Sequence, residues 1–265
     1  MKITLIITTY NWPEALFLVL KSIQEQSTLP DEIIIADDGS NKKTQEMISS
    51  FNYCSNLNII HSWQKDIGFR ASRCRNKAIS KSSGDYIILI DGDVILHPKF
   101  IHDHIINAES GFFIQGCRSF LTKKISSSIL INHNIHFSFL SSGVKNRKNI
   151  IYSSLLSRIF STKYNNLKGI KSCNMSFYLK DFLSVNGFNN QFEGWGREDS
   201  EFIVRLLNKG VNRKNLRFCA IQFHLWHNES SRLSLEKNND ILINSINNNI
   251  QWCEDGINKL NKYEN

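Results

Sequence analysis

The sequence predicts an α/β protein whose central β-sheet is mostly parallel and covered by helices on both faces. Four apolar runs rich in Ile and Leu predict the strands, and a segment with helical features follows each of them. These runs cover residues 3–9, 32–40, 57–62 and 87–96. Strands that alternate with helices build parallel units, and their carboxyl ends gather at one edge of the sheet. Ligands of such sheets bind beyond that edge, so functional residues are expected there.

The remaining elements follow from shorter patterns. Pro13 suits the first turn of a helix, which apolar residues continue at helical spacing to about Gln26. A Ser- and Asn-rich segment over 120–167 has weak periodicity and predicts a partly helical insert. The other predicted helices cover residues 43–51, 98–108, 181–185, 198–210 and 238–265, with one more ending near Ser82. The other predicted strands cover residues 112–117, 171–178 and 218–223.

Length and composition are typical of a soluble globular protein with one core. The 265 residues are 41% hydrophobic and 21% charged, and the six cysteines occur singly, as reduced core residues of a cytosolic protein do. The first apolar run predicts a strand rather than a signal peptide, and no run reaches the roughly 18 apolar residues of a membrane span. The net charge of +8 favours an anionic partner: nucleotide phosphates, nucleic acid or an anionic membrane surface.

Two carboxylates one residue apart, Asp91 and Asp93, follow the most apolar strand. A buried carboxylate without a partner is costly, so this pair predicts a bound cation. With Gly92 between them, both carboxylates can face one hard divalent ion, such as Mg²⁺ or Mn²⁺, together with phosphate oxygens. An acidic β-turn explains the same three residues without a ligand, and the motif alone does not separate the two interpretations.

Basic side chains cluster over residues 68–78, at the start of a predicted helix. A helix N-terminus beside several cations suits a pyrophosphate group, whereas a solvated basic face is the simpler explanation. No GxGxxG follows the first strand and no GxxxxGK[ST] occurs, which argues against dinucleotide dehydrogenases and P-loop enzymes.

The stretch FEGWGREDSEF leads into an apolar-periodic helix. Trp195 lies between two glycines, where an exposed aromatic face can stack on a sugar or a base. Asp199 can take a proton from a hydroxyl group, which typically accelerates a reaction by about 10² to 10⁴. Capping acids that complement the helix dipole are the simpler explanation, and that explanation is preferred for Glu201.

Two histidines, His224 and His227, follow the last predicted strand. One of their imidazoles could complete the ligand shell of an ion held by Asp93. Both could equally be structural, since a histidine in a folded protein is more often structural than a ligand. The spacing alone leaves these alternatives open.

Five motifs, in the order TTYNW, ADDGS, GFRASRCRNKAI, IDGDV and GWGREDSEF, resemble those of family 2 glycosyltransferases with the GT-A fold. GWGRED and HLWH resemble the galactosyltransferase-type C-terminal region of bacterial polysaccharide and lipopolysaccharide transferases. The resemblance implies a Rossmann-like sheet with a helical insert and a C-terminal helix. It implies one domain, residues 1–265, in four parts: a nucleotide-sugar-binding half (1–120), a variable insert (121–167), an acceptor and catalytic half (168–230) and a helical tail (231–265).

The resemblance also implies roles for the motif residues. The implied nucleotide contacts around the nucleoside and ribose are Thr9, Tyr10, Asp38, Asp91 and Gly92. The implied contacts of the diphosphate are Arg70, Arg75 and Asn76. The implied ligands of Mn²⁺ or Mg²⁺ are Asp93 and His227, with His224 as the substitute. The implied catalytic base is Asp199, with Glu198 as a sugar contact and Trp195 as the stacking aromatic.

The function implied by the resemblance is an inverting, metal-dependent glycosyltransferase. The ion neutralises the leaving UDP while the base deprotonates an acceptor hydroxyl on the opposite face of the donor sugar. The donor is a UDP-sugar carrying a hexose or N-acetylhexosamine, with a galactose-type sugar favoured, and the product is β-linked. The acceptor is an oligosaccharide or glycolipid of a bacterial surface glycan, in lipopolysaccharide or capsule polysaccharide synthesis. The expected location is the cytoplasm, with peripheral contact to the inner membrane surface.

Two other interpretations remain. A sugar nucleotidyltransferase shares such a sheet and acid pair, but it would usually carry a Gly-rich basic loop where this chain has TTYNWPEA. A non-catalytic carbohydrate- or nucleic-acid-binding module could use the basic surface and Trp195. Nucleic acid is not the expected partner, because the basic clusters lie beside acids that would repel a polyanion.

Overall fold

An eight-stranded sheet forms the centre of the computed structural model, which describes residues 1–228 and 231–263. The strands are β1 (Ile3–Thr9), β2 (Glu32–Asp37), β3 (Ile59–Trp63), β4 (Tyr86–Asp91), β5 (Val94–Leu96), β6 (Phe112–Gln115), β7 (Ser119–Leu121), β8 (Val144–Lys145), β9 (Thr162–Lys163), β10 (Asn174–Tyr178), β11 (Asn212–Asn215) and β12 (Gln222–His224). The helices are α1 (Pro13–Gln24), α2 (Lys42–Cys54), α3 (Ala71–Ile79), α4 (Phe100–Asn107), α5 (Lys123–Asn132), α6 (Ser154–Phe160), α7 (Leu179–Ser184), α8 (Glu198–Asn208) and α9 (Leu235–Asn247), with 3₁₀ segments at Arg147–Ile150 and Ile257–Tyr263.

Within the described residues, the large sheet has the strand order β3-β2-β1-β4-β10-β6-β11-β9. β1 pairs in parallel with β2 and β4, β2 pairs in parallel with β3, and β6 pairs in parallel with β11. β10 runs antiparallel between β4 and β6, and β9 runs antiparallel to β11. The predicted α/β fold with a mostly parallel central sheet is therefore confirmed.

Alternate residues of the central strands fill two cores on opposite faces of this sheet. Leu5 and Ile7 of β1 and Ile88 of β4 pack in the core that α1, α2 and α4 cover. Ile6 and Ile87 pack in the core that α3, α7 and α8 cover. All five side chains are fully buried. Burial on both faces explains why these strands read as uninterrupted apolar runs.

The parallel registers bring the polar ends of three strands together. Thr8 lies opposite Asp91 in the β1–β4 pair, and Thr9 lies opposite Asp37 in the β1–β2 pair. The backbone N–H of Asp38 then donates to the carbonyl oxygen of Thr9 at 3.1 Å. The carboxyl edge of the sheet therefore presents the predicted polar residues side by side, as expected for parallel strands.

A second sheet of four short strands, in the order β5-β12-β7-β8, is absent from the sequence prediction. Each of its strands has only two or three residues. β12 runs antiparallel to β5 with His224 opposite Val94, and the Leu225 N–H donates to the Asp93 carbonyl oxygen at 2.9 Å. This small sheet thus holds the end of β12 against the turn that carries Asp93.

Two predictions near the C-terminus are wrong in extent. The strand predicted over 218–223 shrinks to β12, because Phe218 and Ala220 adopt positive φ angles of 60° and 48° that a strand excludes. The tail does not form one continuous helix. α9 ends at Asn247, and Asn249 turns the chain with a φ of 49° before the last 3₁₀ segment.

The insert over 121–167 is more regular than its weak periodicity indicates, since α5, β8, α6 and β9 all lie in it. The predicted part boundaries at Ser230 and Asn265 lie outside the described residues. Among the helices of the described chain, none is both long and apolar enough to span a bilayer.

Candidate active site

A cavity of about 1000 Å³ opens at the carboxyl edge of the large sheet, beside the start of α8. The predicted site residues that line it are Thr9, Tyr10, Asp38, Arg75, Asp91, Gly92, Asp93, Trp195, Glu198, Asp199, His224 and His227. Arg70 and Asn76 do not line it. Motifs that are far apart in the sequence therefore converge on one place.

One wall of the cavity carries Asp38. Its carboxylate accepts hydrogen bonds from the Arg70 backbone N–H at 2.7 Å and from Gln64 Nε2 at 2.5 Å. Burial raises the pKa of Asp38 in spite of these two bonds. The Arg70 guanidinium donates to the Lys65 carbonyl oxygen at 2.5 Å. Arg70 therefore orients Asp38 through its main chain, and its side chain does not line the cavity.

The tight turn after β4 needs a glycine. A Cβ at Gly92 would lie 2.9 Å from Thr9 Oγ1 and 3.0 Å from the Thr8 carbonyl oxygen. The close approach leaves Thr9 and the Gly92 backbone as one continuous polar surface. Tyr10, half exposed beside it, donates through its hydroxyl to Asp66 at 2.9 Å.

Asn76 is a correction to the sequence prediction. It is fully buried, and its Nδ2 donates to the Phe188 carbonyl oxygen at 2.7 Å and to Asn190 Oδ1 at 2.9 Å. Its Oδ1 accepts from the Phe188 N–H at 2.8 Å. The polar atoms of its side chain all bond to the loop before α8, so Asn76 joins α3 to that loop and does not line the cavity.

Arg75 connects the two halves of the cavity. Its side chain is almost fully buried, and its Nη1 lies 3.1 Å from Glu198 Oε1. Its Nη2 lies 3.5 Å from Asp91 Oδ1, and its Nε donates to Thr8 Oγ1 at 3.2 Å. Burial raises the pKa of Asp91 to about 6, an effect that the positive charge of Arg75 opposes and the negative charge of Asp93 reinforces.

Asp93, His224 and His227 form a group with the geometry of a metal site. One ligand atom from each lies within 4.8 Å of the others. Asp93 Oδ2 is 3.2 Å from His227 Nε2 and 3.6 Å from His224 Nε2. The hydrogen bond with Asp93 raises the pKa of His227 to about 9, whereas burial lowers the pKa of His224.

The donor set of this group fits a divalent ion. Asp93 Oδ1 is buried and has no hydrogen-bond partner, which is a costly arrangement unless the atom has a ligand. Burial opposes ionisation of Asp93, but the two imidazoles outweigh it and lower the pKa of Asp93. A carboxylate with two imidazoles is a mixed oxygen and nitrogen set, which suits Mn²⁺ better than Mg²⁺ because Mg²⁺ favours oxygen ligands.

Asp199 faces the cavity from the first turn of α8. Its Oδ1 accepts from the Ser200 N–H at 2.7 Å and from Ser200 Oγ at 3.3 Å. Burial and the charge of neighbouring Glu198 raise the pKa of Asp199 to about 7, while the charge of Arg75 opposes the rise. A carboxylate that gains and loses its proton near neutral pH is suited to general base catalysis.

The loop before α8 presents Trp195 at the mouth of the cavity. Its side chain is 41% exposed, and its flanking residues Gly194 and Gly196 have φ angles of 71° and 103°. Those angles are in the left-handed region that favours glycine, which explains the GWG sequence. The Arg232 guanidinium carbon lies 5.5 Å from the centroid of the Trp195 ring.

Glu201 has a different role from the capping acid that was expected. It is buried, and both its oxygens accept from Arg205, from Nε and Nη2 at 2.8 Å each. Ser245 Oγ of α9 also donates to Glu201, at 3.0 Å. Glu201 therefore anchors α8 and α9 to each other from its position in the first turn of α8.

Sequence reasoning missed several residues that line the same cavity, including Arg118, Lys145 and Lys171. Arg118 follows the predicted strand over 112–117, and Lys171 begins the predicted strand over 171–178. Polar residues at strand ends were the signal that found Asp38 and Asp91. The same signal, applied to the first of these strands, would have found Arg118, whereas Lys171 precedes an antiparallel strand whose direction the sequence does not show.

Comparison with known sequences decides the family. The sequence profile of glycosyl transferase family 2 matches residues 4–172, which is more than half of the chain. The chain belongs to glycosyl transferase family 2. The profile for the N-terminal domain of galactosyltransferase matches residues 156–228, which include Asp199, His224 and His227. The family predicted from the motifs is therefore confirmed.

This family 2 chain is similar to parts of larger synthases. It is 27% identical to chondroitin synthase of Escherichia coli over 231 residues, which cover 78% of this chain and 32% of that protein. It is 28% identical to hyaluronan synthase of Pasteurella multocida over 225 residues, which cover 78% of this chain and 23% of that protein. The chain thus spans about a third or less of the length of these relatives.

A solved structure supports the fold assignment of this family 2 chain. A crystal structure of Staphylococcus aureus TarS in complex with UDP-GlcNAc matches with a TM-score of 0.62 and 14% identity. The match covers 91% of this chain and 64% of that chain. At this identity the similarity concerns the fold, which agrees with the architecture described above.

Proposed function

We propose that this protein is a metal-dependent, inverting glycosyltransferase that moves a hexose or N-acetylhexosamine from a UDP-sugar to a hydroxyl group of a glycan. The observation that carries the proposal is that a group of three side chains able to hold a metal ion and a carboxylate with a pKa of about 7 line one cavity. The first, formed by Asp93, His224 and His227, suits a diphosphate leaving group, and the second, Asp199, suits an attacking hydroxyl.

The nucleotide would lie along the wall formed by Thr9, Tyr10, Asp38 and Gly92. Asp38 is held rigidly by two hydrogen bonds and can accept from the base or from ribose hydroxyls. Asp91 lies next to this wall and would face the ribose. The TarS structure contains UDP-GlcNAc in a similar fold, which favours a uridine nucleotide over other nucleotides.

Asp93, His224 and His227 would hold Mn²⁺ beside the diphosphate. When bound, the ion would offset the negative charge that develops on the leaving UDP. Arg75 adds a fixed positive charge on the same side of the cavity, because its guanidinium is held between Glu198 and Asp91. Fixed charges of this kind stabilise a transition state without having to reorganise.

Asp199 would take the proton from the acceptor hydroxyl. The hydroxyl oxygen then forms a bond to the anomeric carbon while the bond from that carbon to the UDP oxygen breaks. A single displacement of this kind inverts the anomeric centre, so an α-linked UDP-sugar gives a β-linked product. Glu198 would contact the sugar hydroxyls, and Trp195 would stack on a sugar ring.

The similar proteins indicate the chemical class of the donor and of the acceptor. The galactosyltransferase match favours a galactose-type donor, and the UDP-GlcNAc bound in the TarS structure favours an N-acetylhexosamine as well. A polysaccharide or glycolipid of the bacterial surface is the proposed acceptor. Its synthesis would take place at the cytoplasmic face of the membrane.

The test measures UDP release from a panel of UDP-sugars with and without Mn²⁺. We expect the wild type to hydrolyse one donor slowly in the absence of acceptor, and only when Mn²⁺ is present. The Asp93→Asn variant should not hydrolyse it. Glu46→Gln, on the exposed surface of α2, is the matched control and should behave like the wild type. If no UDP-sugar reacts and UDP does not bind, the proposed function is wrong.

Two further outcomes separate the alternatives. Release of pyrophosphate from a nucleoside triphosphate and a sugar phosphate would establish a nucleotidyltransferase instead. An α-linked product, seen in the anomeric proton coupling by NMR, would remove Asp199 as the base of a direct displacement. UDP-sugar binding without any turnover in the presence of acceptor glycans would favour a binding module.

A further inference from the structure

The positive charge of this protein is concentrated in one segment. Residues 110–180 contain 11 of the 32 Lys and Arg residues and no Asp or Glu. The rest of the chain therefore has 21 basic residues against all 24 acidic ones. The excess positive charge of the whole molecule therefore comes from this segment.

Part of this charge lines a second cavity that adjoins the first. The second cavity has a volume of about 240 Å³, and Arg118, Phe120, Lys171 and Cys173 line both cavities. Lys168 and Arg213 also line it, and among its described lining residues there is no carboxylate. Thr9 and Asp38, which form the proposed nucleotide wall of the first cavity, do not line the second cavity.

Among the described residues Arg118 forms no direct ion pair, although its positive charge acts, against burial, to lower the pKa of Asp91 and of Asp93. It lies with its guanidinium carbon 4.6 Å from the centroid of Phe120, and its Nη1 is 3.5 Å from Cys173 Sγ. Its Nε is buried without a hydrogen-bond partner. Burial raises the pKa of Cys173 to about 12, so the thiol is neutral and does not balance the charge.

Lys171 and Arg213 also form no ion pair within the described residues, although the negative charge of Asp199 acts on Lys171. Burial and the neighbouring charge of Arg118 lower the pKa of Lys171. Arg213 is buried, and its guanidinium donates to the carbonyl oxygens of Asn166 and Lys168 at 2.8 Å and 2.9 Å. Cations grouped in a partly buried cavity whose described lining contains no carboxylate are costly, and an anionic ligand would relieve that cost.

We propose that this second cavity binds a carboxylate-bearing sugar unit of the acceptor glycan, an inference that rests on the proposed glycosyl transfer. Lys171 lines the main cavity together with Asp199, so the acidic sugar would lie next to the hydroxyl that reacts. Arg118 offers a planar donor group for the carboxylate. Asn146, Asn149 and Tyr164 in the same cavity can bond to sugar hydroxyls.

The test compares two probes that differ only at C6, methyl β-D-glucuronide and methyl β-D-glucoside. Each is titrated by NMR into the full chain saturated with UDP and Mn²⁺. We expect the glucuronide to bind at least about tenfold more tightly, with a preference that weakens as salt is added. Arg118→Gln and Lys171→Gln should each remove most of this preference, while Lys171→Arg should retain it.

A matched control distinguishes the cavity from the general basic surface. Lys148→Gln removes an exposed charge from the same segment, outside the lining of both cavities, and should keep the preference. Equal binding of the two glycosides would overturn the proposal. So would a preference that survives in the Arg118→Gln/Lys171→Gln double variant, or one that Lys148→Gln reduces to the same degree.

Two more measurements complete the test. One decides whether the carboxylate belongs to the donor or to the acceptor, and the other tests the proposed function itself. A carboxylate preference seen only between UDP-glucuronate and UDP-glucose would assign the cavity to the donor and overturn the acceptor assignment. If UDP does not bind, the proposed function fails, and the two glycosides titrated without UDP still decide whether the cavity selects a carboxylate.

Discussion

Arg75 Nη1 lies 3.1 Å from Glu198 Oε1, although the two residues are 123 positions apart in the sequence. The contact joins α3, which follows the third strand, to the helix that carries Asp199. Because both side chains are largely buried and line the cavity, the same ion pair holds the fold together and sets the charge around the candidate base.

Loss of Arg75 should be strongly destabilising. In Arg75→Gln, Glu198 and Asp91 would remain as partly buried carboxylates without their cation, and we expect a loss of about 2–4 kcal/mol in the free energy of unfolding. Glu198→Gln in the same chain should recover about 1–2 kcal/mol. Urea unfolding of both single variants and the double variant measures this coupling.

Arg158→Gln on the exposed face of α6 is the control for an arginine removed from the surface. It should change the free energy of unfolding by less than about 0.5 kcal/mol. Additive effects of Arg75→Gln and Glu198→Gln would contradict a direct interaction between these two side chains.

Asp199→Asn should reduce glycosyl transfer by about 10² to 10⁴, because the amide cannot accept the hydroxyl proton. In the wild type, the raised pKa of Asp199 predicts a rate that rises with pH and levels off above about 7. Initial rates from pH 5 to 9 measure this profile. The same profile in Asp199→Asn, at reduced rate, would show that another group titrates.

The same substitution should stabilise the unliganded protein above neutral pH. The folded-state pKa of Asp199 is above the ordinary carboxyl value, so folding favours the protonated form and stability falls as pH rises from about 4 to 7. Asn resembles that form at every pH. We expect Asp199→Asn to gain about 2 kcal/mol at pH 8 and nothing at pH 4, as measured by urea unfolding.

Mn²⁺ should raise the unfolding temperature of the wild type by binding only the folded site. Asp93→Asn and His224→Ala should each reduce this shift strongly, because each removes one of three grouped ligands. Thermal unfolding with Mn²⁺ and with chelator measures the shift. His136→Ala, an exposed histidine of the insert, is the control, and an unchanged shift in Asp93→Asn would place the ion elsewhere.

Arg205→Met should cost about 3–5 kcal/mol, since it leaves buried Glu201 without its cation. The double variant Glu201→Leu/Arg205→Met should recover most of the loss, because an apolar pair can replace a buried ion pair. Chemical unfolding measures both. A small effect of Arg205→Met alone would mean that α8 and α9 do not depend on this pair.

The strands of the nucleotide half were predictable because burial on both faces produces uninterrupted apolar runs in the sequence. β1 has the predicted bounds, and the apolar run over 87–90 lies inside β4. The direction of β10 was not predictable, since its alternating pattern indicates a strand without naming its partner. The second sheet was missed because strands of two or three residues have no measurable period.

The site was predictable where residue type alone carries the chemistry, as for Asp93 and Asp199. Asn76 was misjudged because its partners are Phe188 and Asn190, more than 110 positions away. For Glu201 a local signal existed, since Arg205 stands at i+4 on the same helix face. This spacing predicts an ion pair between Glu201 and Arg205 along the helix. Only the packing of α9 shows that the pair is buried.

The antiparallel strand β10 also affects the order in which the protein can fold. Its partner β4 is complete at residue 91, but β10 begins only at residue 174. Until the ribosome has released that later stretch, β4 remains an open edge whose residues 87–90 are all apolar, which is the kind of edge that invites aggregation. In a nascent chain of residues 1–120, the sheet is therefore incomplete beside β4, the strand that leads into the acids of the site. The insert must be synthesised before β10 can pair with β4 and complete the centre of the sheet.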